Sequence, residues 1–423
     1  MDNSARICGR WKPTRNEFAT SGLVNMIDPK DNRETGFLIG WVIVALVALS
    51  GAVGHAFGRF GYGVIYPALR DDLGITNTFA GFIGSANVAA YLVGTLIVAW
   101  VTSRLRLLSV MKAGLVMATL GLFLASMASG PSILTAGLIL AGVGGAFLWI
   151  PAPVIAADAL PENKRHLAVG LLGSGIGLGI VFVSTLSGWL RDIEGDAAWS
   201  TIYSTKFSIA LILLILFIFF VRHVQAAPKS GGRFGGLDAL KKMTGWKPLI
   251  IAYSIFGFMY LLVLGYFTTR LEDDSGWATS ESASAFTLMG IAMIFGAPFF
   301  TSISKRFGVR NTLALCFALW PVVIGIVLSG IYIPVLLASI LLGFLFSALP
   351  ILITLYVVEN TGAEDFGPAF SAATLAFGVA QVISPPIGGL IADQFSSFLG
   401  VFMLSGGMSI LGLLAALRLP RSQ

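Results

Sequence analysis

Charge is scarce in this chain. Asp, Glu, Lys and Arg make up 11% of its 423 residues, where an ordinary soluble domain carries about 25%. So small a polar complement excludes a soluble enzyme and a disordered chain, both of which need charge to stay solvated. Cysteine is nearly missing: Cys8 lies in a polar stretch and Cys316 in an apolar run. Two thiols so placed exclude a disulfide-stapled module and a thiolate metal site. The three histidines, His55, His166 and His223, are too widely spaced for a metal centre. No Gly-x-x-x-x-Gly-Lys-Ser loop occurs, so the chain brings no ATP-driven step. No Ser/His, paired-Asp or His/Glu constellation stands inside the apolar runs. Neither a cofactor nor an enzymatic activity is expected.

What is abundant is apolar surface, at 56% of residues, with 50 glycines besides. A helix needs about 20 apolar residues to cross roughly 30 Å of hydrocarbon. Twelve such segments are expected, near 37–69, 78–101, 108–128, 133–157, 167–190, 201–222, 248–269, 281–303, 311–328, 333–357, 368–392 and 395–417. The runs are continuous rather than alternating, so they read as helices and not barrel strands. The fold class is an all-α polytopic membrane protein of two six-helix bundles. The division expected is a tail over 1–36, bundles over 37–222 and 248–417, a linker over 223–247 and a C-tail over 418–423.

The positive excess of +6 follows from loop chemistry, not nucleic acid. With both termini on one side, the tails and loops of that side hold 22 of the 27 Lys and Arg; the opposite loops hold Arg70, Arg191 and Arg270. Such asymmetry places both termini in the cytoplasm of a plasma membrane, the inner one in a Gram-negative cell. The first 36 residues carry no signal-peptide pattern, and Met26 is a candidate start. The linker is rich in Gly, Ser and Lys and is expected to hold a short surface helix with Leu237, Leu240 and Trp246 toward lipid. Lys206 is expected near the outer end of the sixth helix, its stem snorkelling to the headgroups.

A shift of 201 residues brings the halves into register. Ala168 meets Ala369, Gly177 meets Gly378, Gly188 meets Gly389, Asp192 meets Asp393, and Gly142 meets Gly343. Ser103, Arg104 and Arg106 answer Ser304, Lys305 and Arg306 as basic gating loops. Two six-helix repeats joined by a basic linker form a transporter plan with its site near the midplane.

Several local patterns give this plan a family likeness: Gly58-Arg59-Phe60-Gly61-Tyr62 with Pro67, Phe256-Gly257-Phe258 with Tyr260, and Phe377-Gly378 with Gln381 and Pro385. On these residues the chain resembles the major facilitator superfamily over about 37 to 418, and within it the YbfB/YjiJ-type group. The run Tyr62-Gly63-Val64-Ile65-Tyr66-Pro67 is also similar to monocarboxylate carriers of that superfamily. The resemblance implies alternating access by a secondary carrier. The chain departs from it where Ser103 and Lys305 stand in place of the latch Asp of the basic loops, and where the fourth helix lacks a basic residue. The glycines 170, 173, 175, 177 and 179 resemble an exporter motif without its proline, and close helix packing explains them equally.

All 21 acids fall in tails, loops or helix ends. His55 and Arg59 remain deep in the first segment, where a charge costs on the order of 2.5–3.5 kcal/mol. A guanidinium keeps its proton, so Arg59 must face a cavity and find acceptors. These are an anionic substrate, or Asn87, Gln381 and free carbonyls in a structural tie. The guanidinium fork suits a carboxylate. His55, Arg59, Tyr62 and Tyr66 fall at i, i+4, i+7 and i+11, one face of an α-helix. His55 either carries a coupling proton or stands by as a hydrogen-bonded neighbour. Asn87 and Tyr91, Tyr253 and Tyr260, Trp149 before Pro151, and Gln381 before Pro385 complete the candidate cavity. The repeat opposes Arg59 with Phe258 or Tyr260, an anion site facing an aromatic wall. A monomeric carrier of a small organic anion such as a monocarboxylate is expected; efflux of lipophilic compounds, with Arg59 structural, is the alternative.

Overall fold

The computed structural model describes residues 29–102, 104–221 and 236–420, with side chains from Leu38 onward except those of residues 166 and 363. Met26, Cys8, Ser103, His223 and most of the expected linker lie outside the described residues.

Among the described residues the regular structure is helical, and eleven helices are long and apolar enough to cross a membrane. One of them, Glu162–Phe220, has 59 residues, about 90 Å at 1.5 Å per residue and far beyond one bilayer. It holds two crossings, Leu172–Glu194 and Ala198–Phe220, divided at Gly195, whose φ of +69° is open to glycine. The packing shows that the chain reverses there. Gly175 meets Ala48 and Gly179 meets Ala52, so the first of the pair runs alongside Leu38–Asp72. Trp199 bonds Asp72 and Lys206 bonds Phe57, so the second runs against it.

The twelve crossings are α1 (Leu38–Asp72), α2 (Asn77–Val101), α3 (Leu107–Ser126), α4 (Pro131–Asp158), α5 (Leu172–Glu194), α6 (Ala198–Phe220), α7 (Trp246–Asp274), α8 (Thr279–Phe307), α9 (Val309–Leu328), α10 (Tyr332–Asn360), α11 (Glu364–Phe395) and α12 (Leu399–Leu417). In the first bundle α4 packs on α2 and α3, α6 on α3, and α5 on α1. The second repeats this with α10 on α8 and α9, α12 on α9, and α11 on α7. The bundles meet along α2 with α11, α5 with α8, and α1 with α7. Apolar side chains such as Ile212, Phe295, Leu337 and Leu390 point outward, as lipid contact demands.

Two expectations about single residues are corrected. A short helix does form at Leu237–Lys242, but Leu240 is fully buried and Gly236 abuts the backbone of Pro368 on α11. The helix docks on protein, with Lys242 paired to Asp365 at 3.2 Å, and only Leu237 is exposed. Lys206 does not snorkel. Its side chain is wholly buried, with Nζ 3.3 Å from the Phe57 carbonyl and 4.1 Å from the Tyr203 ring centroid.

Of the five glycines on the exporter-like run, three serve packing. A Cβ on Gly175 would stand 1.9 Å from the Ala48 carbonyl oxygen; Gly177 and Gly179 are pressed against Ile294 and Ala56. Gly170 and Gly173 face open space.

Candidate functional site

The middle of α1 is not a plain α-helix. Ala52–Phe60 forms a π-helix, closed by a Gly61 N–H to Ala56 carbonyl bond. The wider turn accommodates an extra residue and changes which side chains share a face. The α-helical stripe expected of His55, Arg59, Tyr62 and Tyr66 is therefore split. Arg59, Tyr62 and Tyr66 line one small cavity, and His55 turns away from it.

Arg59 crosses the interface between the bundles. Its Nη2 donates to Oε1 of Gln381 on α11. Its Cζ lies 5.5 Å from the Tyr91 ring centroid and 5.7 Å from that of Phe60, within cation–π range. Its Nε is buried and has no hydrogen-bond partner among the described residues. A charged fork held by one neutral amide has donors to spare.

His55 is boxed by aromatic rings. Its ring centroid is 4.9 Å from Trp149, 5.4 Å from Tyr91 and 6.1 Å from Phe60. Its Nε2 is buried without a partner among the described residues. Across the interface Phe60 meets Tyr260 edge-on at 6.2 Å, and Tyr260 packs on Phe256 and Phe346. Tyr253 stacks on Phe377 at 4.4 Å, and Gly257 lets Phe377 and Gln381 approach α7.

Three candidates are committed elsewhere. Asn87 donates its amide to the Leu138 carbonyl at 2.7 Å and ties α2 to α4. The hydroxyls of Tyr62 and Tyr66 donate to the carbonyls of Ala80 and Asn77 at 2.7 and 2.8 Å. Their rings, with Tyr266 and Leu264, close a cavity of about 30 Å³ above Arg59, room for about one water. Arg104, Arg106, Lys305 and Arg306 lie at the opposite end of the molecule, exposed, with Arg104 over the Trp100 ring and Arg306 near that of Phe307.

The end of the molecule away from the chain termini, here called distal, is sealed. Gly63 sits so close to Leu264 that a Cβ would stand 2.0 Å from its carbonyl oxygen. Thr268 donates to the Gly63 carbonyl and Ser85 to that of Val382, each at 2.8 Å. Arg70 pairs with Asp273 at 2.5 Å, and Arg191 makes two bonds to Glu272 at 2.9 and 2.8 Å. Asp393 accepts from the backbone of Asn77 and Thr78 and from the Thr78 hydroxyl, capping α2. Asp192 accepts from the Thr279 hydroxyl at the start of α8. These last two contacts are one contact made twice: Asp192 and Asp393, like Thr78 and Thr279, stand 201 residues apart. Gly188 and Gly389 supply the close approach at each. On the proximal side of Gln381, no hydrogen bond or ion pair joins the bundles among the described residues.

The recurrence of Thr78 at Thr279, the aromatic partners Phe60 and Phe346, and the burial of Lys206 were not expected from the sequence. The shift of 201 contained the first; nothing local marked the others.

Comparison with known proteins settles the family. The family model described as "Uncharacterised MFS-type transporter YbfB" matches residues 51–417. The chain belongs to that family. This YbfB-type chain is 24% identical to the uncharacterized MFS-type transporter YceJ of Bacillus subtilis (strain 168), over 78% of each chain. It is 23% identical to the hexuronate transporter of the same organism, covering 90% of this chain and 94% of that one. It is 20% identical to the cis,cis-muconate transport protein of Acinetobacter baylyi (strain ATCC 33305 / BD413 / ADP1), over 84% and 89%. The crystal structure of a mutant of the nucleoside transporter NupG superposes with a TM-score of 0.75 at 13% identity, covering 89% of this chain and 99% of that one. That likeness supports the fold. The protein is a multi-pass membrane transporter of the MFS type.

Proposed function

We propose that this YbfB-type transporter carries a small organic anion, a monocarboxylate being the best fit, by alternating access. One observation carries the reading: Arg59 reaches the bundle interface, where among the described residues its one hydrogen-bond acceptor is the neutral Gln381 and its Nε is unpaired. A buried cation with spare donors favours a cargo that brings the missing charge. A carboxylate completes the fork, and the wall of Phe60, Tyr91, Tyr260 and Phe377 receives an apolar body. The names of two relatives, a hexuronate and a muconate transporter, denote carriers of carboxylates and point the same way.

The loop charges orient the cycle. The basic proximal loops belong in the cytoplasm, so in this reading the distal face closed by Thr268, Arg70 and Arg191 is the outer one. In the proposed cycle an anion entering or leaving competes with Gln381 for Arg59, and the distal contacts break as the bundles rock. The chain works as a monomer, since both halves of the site lie within it.

The aromatic wall favours one second reading, efflux of lipophilic compounds with Arg59 as a structural tie. Uptake into proteoliposomes separates the two, using labelled monocarboxylates, a hexose and a lipophilic cation. The anion reading expects monocarboxylate uptake in the wild type and a fall of more than tenfold in Arg59→Lys, whose ammonium cannot make the paired bonds. Transport of the lipophilic cation that survives Arg59→Gln, without anion uptake in the wild type, overturns it.

A further inference from the structure

Lys206 is unused by the anion site, yet it is the most deeply buried cation of the described chain, with no exposed surface. It is also the only charged residue on α6. Its ammonium donates at 3.3 Å to the carbonyl of Phe57, inside the π-helical stretch that presents Arg59 two residues later. Gly61 makes room: a Cβ there would stand 3.3 Å from Nζ and 2.7 Å from the Ala56 carbonyl oxygen. Nζ also lies 4.1 Å from the Tyr203 ring centroid, and the Tyr203 hydroxyl has no partner among the described residues.

Among the described residues no carboxylate pairs with this charge. The described charged or titratable groups on elements packed against α6 are His55, Arg59, Tyr62, Tyr66, Arg70, Asp71 and Asp72 on α1; Arg191, Asp192 and Glu194 on α5; Asp196 in the turn; and Lys112 on α3. The acids among them bond other residues or lie at the distal end: Asp71 binds Arg70, Asp72 binds Trp199, Asp192 binds Thr279, Glu194 binds Thr201, and Asp196 binds Arg191. A purely structural tie to one carbonyl needs only a neutral donor. An ammonium held there, in a membrane interior, marks a site where charge is used.

We propose that Lys206 is the proton-carrying residue of this transporter, and that its proton sets the register of the π-helical stretch and so the position of Arg59. The step balances simply. The ammonium releases one proton to water and becomes an amine with its lone pair retained; reprotonation from the other side reverses it. While charged, Lys206 makes a charge-assisted bond to Phe57, about twice as strong as a neutral one. The π-helical turn is then held, and the distal face is closed as in this structure. When Lys206 is neutral that bond weakens, the turn relaxes, and Arg59 and the distal contacts of α1 are freed. Guanidinium cannot play this part, because it does not lose its proton.

The inference rests on the carrier reading but not on the identity of the cargo, so its test needs no substrate. Spin labels are placed on the distal face at Ala197→Cys and Gln394→Cys, both exposed sites on opposite bundles, with Cys8→Ser and Cys316→Ala. The distance between them is read in lipid nanodiscs at pH 5.5 and 8.5. The expected wild-type result is a short distance at pH 5.5 and a growing longer population at pH 8.5. Lys206→Arg keeps the donor and the charge and stays short at both pH values. Lys206→Gln stays at the long distance at both. His55→Gln keeps the wild-type pH response. A wild type with no pH response, or a response retained in Lys206→Arg, overturns the proposal. Should Lys206→Gln fail to fold, Lys206→Arg alone decides. Failure of anion uptake with an intact pH response would strike the cargo assignment and leave Lys206 standing.

Discussion

Arg59 has five N–H groups and one described acceptor, the Gln381 amide. That imbalance yields a sharp substitution. Gln381→Glu places a fixed carboxylate where the cargo's should bind, and a charge-assisted bond is worth about 1.5–3 kcal/mol. Anion uptake is expected to fall roughly 10- to 100-fold while the thermal midpoint holds or rises, measured by proteoliposome uptake and by melting in detergent. Undiminished uptake would show that the amide, not the anion site, is what Arg59 serves. The depth of Arg59 was legible in the sequence, because a lone cation in a long apolar run is visible without coordinates. The fates of Asn87, Tyr62 and Tyr66 were not. Their acceptors are the backbone carbonyls of Leu138, Ala80 and Asn77, and a backbone carbonyl leaves no mark on composition.

Among the helices, the decisive feature is the π-helical turn Ala52–Phe60. Spacing arguments assume about 3.6 residues per turn, and this turn is wider, so His55 left the stripe that it shared with Arg59 on paper. Glycine contacts separate folding from motion at the same scale. Gly175 meets Ala48 within the first bundle, whereas Gly63 meets Leu264 between bundles. Gly175→Ala is expected to destabilise the whole protein by about 3 kcal/mol, the upper end of overpacking costs, seen as a lowered melting midpoint. Gly63→Ala should leave the midpoint nearly unchanged and lengthen the distal spin-label distance, because its clash is relieved when the bundles part. Equal loss of stability in both would contradict this division. The twelve crossings themselves were readable from apolar length alone, even where Gly195 turns one continuous helical stretch back on itself.

For the whole molecule, the internal repeat is also a mechanical statement. Asp192 with Thr279 and Asp393 with Thr78 close the distal face as equivalent latches on either side of the bundle interface. The shift of 201 residues was legible in the glycines and acids; that it pairs an acid of one half with a helix start of the other required the fold. The latches share no residue, so their effects should add. Asp192→Asn and Asp393→Asn are each expected to enlarge the distal-open population several-fold, and together by about the product, in the same distance measurement. A double variant no more open than either single one would mean that the two act as one. In the proposed cycle, every one of these motions depends on Arg59 recognising negative charge. The most direct measurement of it is calorimetric binding of a short monocarboxylate and of its uncharged amide, to the wild type and to Arg59→Gln. At least tenfold preference for the acid is expected in the wild type and none in Arg59→Gln. Equal affinity for acid and amide in the wild type, or a preference that persists without the guanidinium, would contradict it.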